Sequence, residues 1–104
     1  MTDFTNVNIT KKANVYFDGA VTSRTINFSD GSVKTLGLMQ PGQYHFDTDK
    51  KELMEILQGE VDVQLAGQSK WQRYAIGDTF EIEKNSSFKI TALTLTDYVC
   101  SFVG

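Results

Sequence analysis

The sequence predicts a single all-β domain, a sandwich or closed barrel of short antiparallel strands. Three observations predict it. Stretches rich in Val, Ile, Phe, Tyr and Thr recur from Asn14 onward. Clusters of turn residues separate them at intervals of about ten residues, the rhythm of sandwiches and barrels. One stretch, Val61, Val63 and Leu65 against Asp62, Gln64 and Ala66, has the strict period of two of a strand with one wet face. The 104 residues suffice for one compact domain, and seven Phe, four Tyr and one Trp supply matter for its core.

Along the chain, residues 1–13 are polar and without clear period, so they are set apart as an N-terminal arm, either a frayed tail or a docking segment, and 14–104 are taken as the domain. Asp30-Gly31 lies between the apolar runs 25–28 and 33–39 and predicts a tight hairpin, because Gly tolerates positive φ. Pro41-Gly42 fixes a turn before a strand over 43–46. Residues 51–59 are ambiguous. Leu53, Ile56 and Leu57 have helical spacing before a possible capping Gly59, yet Gly59-Glu60 runs directly into a clear strand, as a hairpin turn would. The strand is preferred. After the turn at 66–69, strands are expected over 71–74, 79–82, 88–90 and 97–103, giving about ten in all.

Composition excludes several classes of function. Net charge is −3, and basic residues pair only at Lys11-Lys12 and Lys50-Lys51, so no basic stripe awaits a nucleic-acid polymer. One cysteine, Cys100, rules out an internal disulfide framework or a Cys-cluster metal site and fits a reducing compartment. The N-terminal residues do not read as a signal peptide, and no apolar run approaches the roughly 18 residues of a membrane span. A cytoplasmic location without membrane contact is expected.

A resemblance emerges from His45-x-Asp47-x4-Glu52-x6-Gly59, which keeps the frame of the first cupin motif, G-x5-H-x-H-x4-E-x6-G. The second, G-x5-P-x-G-x2-H-x3-N, is matched at Gly77, with Glu83, Asn85, Phe88 and Ala92 where Pro, Gly, His and Asn would stand. The fold implied is a single-domain cupin, a jelly-roll β-barrel. A lone histidine with two carboxylates is a poor metal set, so no metal or other cofactor is expected.

Over 14–102 the chain resembles, more closely, small bacterial cupins of the pyrimidine/purine nucleoside phosphorylase family. The resemblance is carried by 14–19, by Lys34-Thr35-Leu36-Gly37-Leu38-Met39-x-Pro41-Gly42-x-Tyr44-x-Phe46, and by Glu52-x-Met54-Glu55-Ile56-x-x-Gly59. Trp71-Gln72-x-Tyr74, Asn85-Ser86-Ser87-Phe88 and Tyr98-x-Cys100 continue it. It implies phosphorolysis of purine and pyrimidine nucleosides to free base and ribose 1-phosphate, with nucleosides and inorganic phosphate as partners. Glu83-Lys84, Thr96 and Ser101 depart from the family pattern, which has Pro before a small residue, Pro, and Arg at those places. The Arg would matter if it held phosphate; alternation instead turns Ser101 away from the side that Cys100 faces.

This chemistry passes through an oxocarbenium-like centre and needs a phosphate cradle, groups for ribose hydroxyls and a platform for the base. Glu52 is the candidate catalytic group, binding ribose hydroxyls or stabilising charge at the anomeric carbon; otherwise it is an exposed carboxylate beside Lys50 and Lys51. Tyr44, Met54, Phe88 and Tyr98 are the candidate substrate contacts, with core packing as the alternative for Met54 and the tyrosines. Lys34, Arg24 and Ser87 are the candidate phosphate contacts, against plain surface charge and an ordinary turn. Cys100 is read as a small buried hydrophobe and His45 as a surface imidazole, since Tyr44 and His45 cannot both face inward. An open edge strand and residues 14–28 favour a homodimer. The rivals are a non-catalytic small-molecule-binding cupin and a metal-dependent cupin enzyme.

Overall fold

The structure, a computed structural model, describes residues 3–103. Among these residues eleven strands build two sheets. Their bounds are β1 Val7–Ile9, β2 Asn14–Tyr16, β3 Val21–Phe28, β4 Val33–Met39, β5 Gly42–Asp47, β6 Lys51–Gln58, β7 Glu60–Leu65, β8 Gln72–Ala75, β9 Thr79–Ile82, β10 Ser87–Ala92 and β11 Thr96–Val103. The larger sheet runs β1-β3-β4-β11-β6-β9, with β2 also on β3, and the smaller runs β5-β10-β7-β8. All pairings are antiparallel. The jelly roll is therefore two facing sheets and not one ladder closed into a barrel.

Two elements of this jelly roll bear directly on the sequence reading. The 30–31 hairpin forms as expected: Gly31 has φ 90° and donates its N–H to the Phe28 carbonyl, while the Asp30 carboxylate accepts from the Ser32 N–H at 2.8 Å and hydroxyl at 2.6 Å. Residues 51–58 are strand, because helical spacing would bury Leu53 and Leu57, whereas alternation buries Met54 and Ile56 against the facing sheet. Gly59 turns the chain at φ 98°, and a Cβ there would stand 2.6 Å from the Leu95 carbonyl oxygen.

Within the arm assigned to 1–13, Val7–Ile9 pairs with Ile26–Phe28 along the edge of β3 that β2 occupies further on. Between β2 and β3 a 3-10 turn, Phe17–Gly19, carries three consecutive positive φ angles, 52°, 56° and 94°. Phe17 and Asp18 lack glycine's freedom there, and such residues cost about 1–3 kcal/mol each. The core lies between the sheets, with Val21, Met39 and Ile56 from one meeting Val61, Val63 and Ile90 from the other.

Candidate active site

At one end of the core the sheets part around a pocket of about 250 Å³. The large sheet lines it with Ser23, Thr35, Met39, Glu52, Met54, Tyr98, Cys100 and Phe102, and the small sheet with Phe46 and Phe88. Tyr16, Asp47 and Asp49 complete the lining. Strands β6 and β11 contribute residues two apart, Glu52 and Met54 from one and Tyr98, Cys100 and Phe102 from the other, so this wall is a direct product of strand alternation.

Glu52 sits on β6 beside β11, and the Cys100 thiol donates to its Oε1 at 3.5 Å. Burial raises the Glu52 pKa above the ordinary carboxylate value; the thiol hydrogen bond opposes this and the nearby Asp49 charge adds to it. Burial pushes the Cys100 thiol up as well, helped by the Glu52 charge, so the sulfur stays protonated and serves as a donor and not as a nucleophile. The Tyr98 phenol is also raised, chiefly by burial. Its ring lies over Gly37, where a Cβ would stand 2.5 Å from the phenolic oxygen. Gly37 gives the tyrosine its place in the pocket wall.

Of the residues chosen from sequence, Glu52, Met54, Phe88 and Tyr98 meet in this pocket. Tyr44 does not line it; it is buried in the adjoining core with its hydroxyl donating to the Gln40 carbonyl at 2.7 Å. Ser87 is the strand partner of Asp47 and precedes Phe88, but is outside the lining. The neighbouring Ser86 N–H is already donated to the Thr48 hydroxyl at 3.0 Å.

Lys34 and Arg24 lie elsewhere. Ser23 and Thr35 face the pocket, so their neighbours Arg24 and Lys34 face away on the outer side of the large sheet. The Arg24 guanidinium donates to the Lys11 carbonyl, and the Lys34 ammonium stands 5.4 Å and 5.6 Å from the Phe4 and Phe28 ring centroids. No lysine or arginine is among the described residues that line the pocket. Ser101 faces outward too, opposite Lys34, so its departure from Arg leaves the pocket wall unchanged. Thr96 is fully buried, with its hydroxyl donating to the Thr94 carbonyl at 2.9 Å. His45 is half-exposed, 3.4 Å from Asp47.

Sequence reasoning missed Tyr16, Asp49 and the thiol contact of Cys100. Alternation of 98, 100 and 102 on one strand was a signal that Cys100 shares a face with Tyr98, though not that it meets Glu52; Tyr16 depends on where β2 ends and Asp49 on how the 48–50 loop crosses the pocket mouth. Among the described residues no group of three or more His, Cys, Asp and Glu side chains is arranged to hold a metal ion.

The family model for pyrimidine/purine nucleoside phosphorylase matches residues 11–102. The chain belongs to this family. Members named pyrimidine/purine nucleoside phosphorylase from Chlorobium chlorochromatii and Geobacter sulfurreducens are each 56% identical to it over 104 residues, the whole of each chain. A solved structure of a protein of unknown function from Acinetobacter superposes with TM-score 0.94 at 39% identity, covering 97% of this chain and 98% of that one. An RmlC-like cupin from Shewanella frigidimarina superposes with TM-score 0.70 at 14% identity, covering 96% and 86%, and shows the cupin fold alone. The phosphorylase family thus has here a cupin frame whose motif positions hold Glu52 and Phe88 in one pocket.

Proposed function

We propose that the protein is a metal-independent nucleoside phosphorylase that cleaves purine and pyrimidine nucleosides and acts in the cytoplasm as a homodimer. One observation carries the placement of the reaction: a half-buried carboxylate, Glu52, in a pocket otherwise walled mainly by aromatic rings and Met. An oxygen of dihydrogen phosphate bonds to the anomeric carbon as the glycosidic C–N bond breaks; the electron pair leaves with the base, which takes up the proton that the phosphate gives up. Ionised Glu52 holds ribose hydroxyls or stabilises the positive charge that develops on the sugar. Phe88, Met54 and Tyr98 contact the substrate. None of the three phosphate candidates lines the pocket, since Ser87 alternates with the inward-facing Phe88 as Lys34 and Arg24 do with Thr35 and Ser23.

Incubation of the purified protein with uridine or adenosine, with and without phosphate and EDTA, tests this reading. Base release that requires phosphate and survives EDTA is expected. Release without phosphate overturns phosphorolysis, loss of release in EDTA overturns metal independence, and saturable binding without release points to a binding module.

A further inference from the structure

Thr48 follows directly on β5 and is buried, although it belongs to no strand. Hydrogen bonds tie it to the turn 83–86 that precedes β10. Its N–H donates to the Ser86 carbonyl at 2.9 Å, its hydroxyl donates to the Glu83 carbonyl at 2.7 Å, and the same oxygen accepts the Ser86 N–H at 3.0 Å. Asp47 and Ser87 are the last pair of the β5–β10 ladder. Were the ladder to continue, Thr48 and Ser86 would exchange both backbone bonds, and the Ser86 N–H would go to the Thr48 carbonyl. The Thr48 hydroxyl takes that carbonyl's place. The carbonyl is thereby released, and the chain leaves β5 for Asp49 instead of extending along β10.

Asp49 lines the pocket together with Glu52. Among the described residues, the groups around Glu52 leave it one charged influence. From β11 the Cys100 thiol and the Tyr98 phenol share the wall, both kept protonated by burial. Its register partners on β9 and β11, Ile82 and Phe102, carry no charge. Lys51 is engaged with Glu81 at 3.5 Å, and Asp47 stands 3.4 Å from His45. Asp49 is the charge that acts on Glu52. We propose that Thr48 is a positioning residue of the site, its hydroxyl clasping the 48–50 loop to the 83–86 turn and so holding Asp49 in the pocket with Glu52. The assignment rests on the reading of Glu52 as the working carboxylate, and it gives the 83–86 turn a part in the reaction that needs no contact with substrate.

The ionisation of Glu52 can be followed without substrate by carbon NMR of protein carrying isotope-labelled glutamate, with Glu52→Gln identifying the signal; kcat/KM against pH is measured alongside. Thr48→Ser keeps both donor and acceptor and should leave the Glu52 midpoint in place. Thr48→Val should move it to lower pH, the direction of Asp49→Asn, since a freed loop carries the negative charge away. A pocket that merely loosens and admits water would lower the midpoint too. The double variant Thr48→Val/Asp49→Asn separates the two, because a clasp acting through Asp49 adds no shift to that of Asp49→Asn alone. An added shift, or an unmoved midpoint in folded Thr48→Val, overturns the assignment and leaves the phosphorylase reading standing. Should Thr48→Val not fold, amide exchange in the wild type decides: the Thr48 and Ser86 N–H groups should exchange at least about tenfold more slowly than unprotected amides. Unprotected exchange at both overturns the clasp. The expected shifts in a protein that releases no base overturn the phosphorylase reading and keep the assignment.

Discussion

Two groups acting in opposite senses flank Glu52. The Cys100 thiol donates to its charged form, and Asp49 opposes that charge. If ionised Glu52 is the working form, activity rises with pH along a limb that begins above the ordinary carboxylate range. Cys100→Ala removes the donor and moves this limb to higher pH, whereas Asp49→Asn removes the repulsion and moves it to lower pH; kcat/KM profiles of both variants measure the two shifts. Shifts in the same direction would remove Glu52 as the titrating group. Stability has its own sign. A carboxyl raised on folding binds more protons in the native state than in the unfolded one between the two pKa values, so stability falls as pH rises from the ordinary carboxylate value through the raised one. Glu52→Gln should therefore melt no lower than the wild type at neutral pH while losing at least about tenfold in turnover, the loss of one charge-stabilising group. At this scale the sequence revealed which side chains share a face, and thus Glu52 with Met54. It could not reveal the contact with Cys100, because two strands distant in sequence meet there in a register that no local pattern encodes.

Among the strands, β4 and β11 show how a pocket wall is made from a missing side chain. Tyr98 occupies the space above Gly37. Gly37→Ala should cost about 1–3 kcal/mol, as overpacking does, and should push the ring into the pocket. A double-mutant cycle with Tyr98→Ala checks the mechanism by thermal or urea unfolding, since the penalty should shrink when the ring is absent. The same scale shows where sequence patterns suffice. Strand β6 was legible because Gly59-Glu60 demands a turn, although its leucines have helical spacing. Lys34 and Arg24 fall on the face opposite the pocket because a hairpin brings residues to a common end without deciding which face they take; their odd-even offset from Thr35 and Ser23 decides it.

Over the whole molecule, the outer face of the large sheet carries a second concavity of about 460 Å³, lined in part by Arg24, Leu36, Leu38 and Asp97. It combines exposed leucines with one charge of each sign, which suits a two-fold contact in which the same patch meets itself. Sedimentation equilibrium should find a dimer, and Leu38→Glu should convert it to monomer; a Leu38→Glu dimer would move the interface elsewhere. The jelly-roll class was legible in the spacing of strands and turns. The division into two separate sheets was not, since it depends on which strands distant in sequence pair at their edges.

The pocket is lined by carboxylates at Asp47 and Asp49 and, among the described residues, by no lysine or arginine, in a chain of net charge −3. For a reaction that must admit phosphate, this makes the protein's field a barrier to arrival and a push to departure. Encounter with the anion would be slowed at low ionic strength, and added salt would relieve it. Raising KCl from about 20 to about 200 mM should thus increase kcat/KM for phosphate, the reverse of a steered enzyme. A decrease would mean that a cation guides the anion in. Under the proposed phosphorolysis, the same repulsion would expel ribose 1-phosphate, and the acidic rim would favour product escape over fast capture.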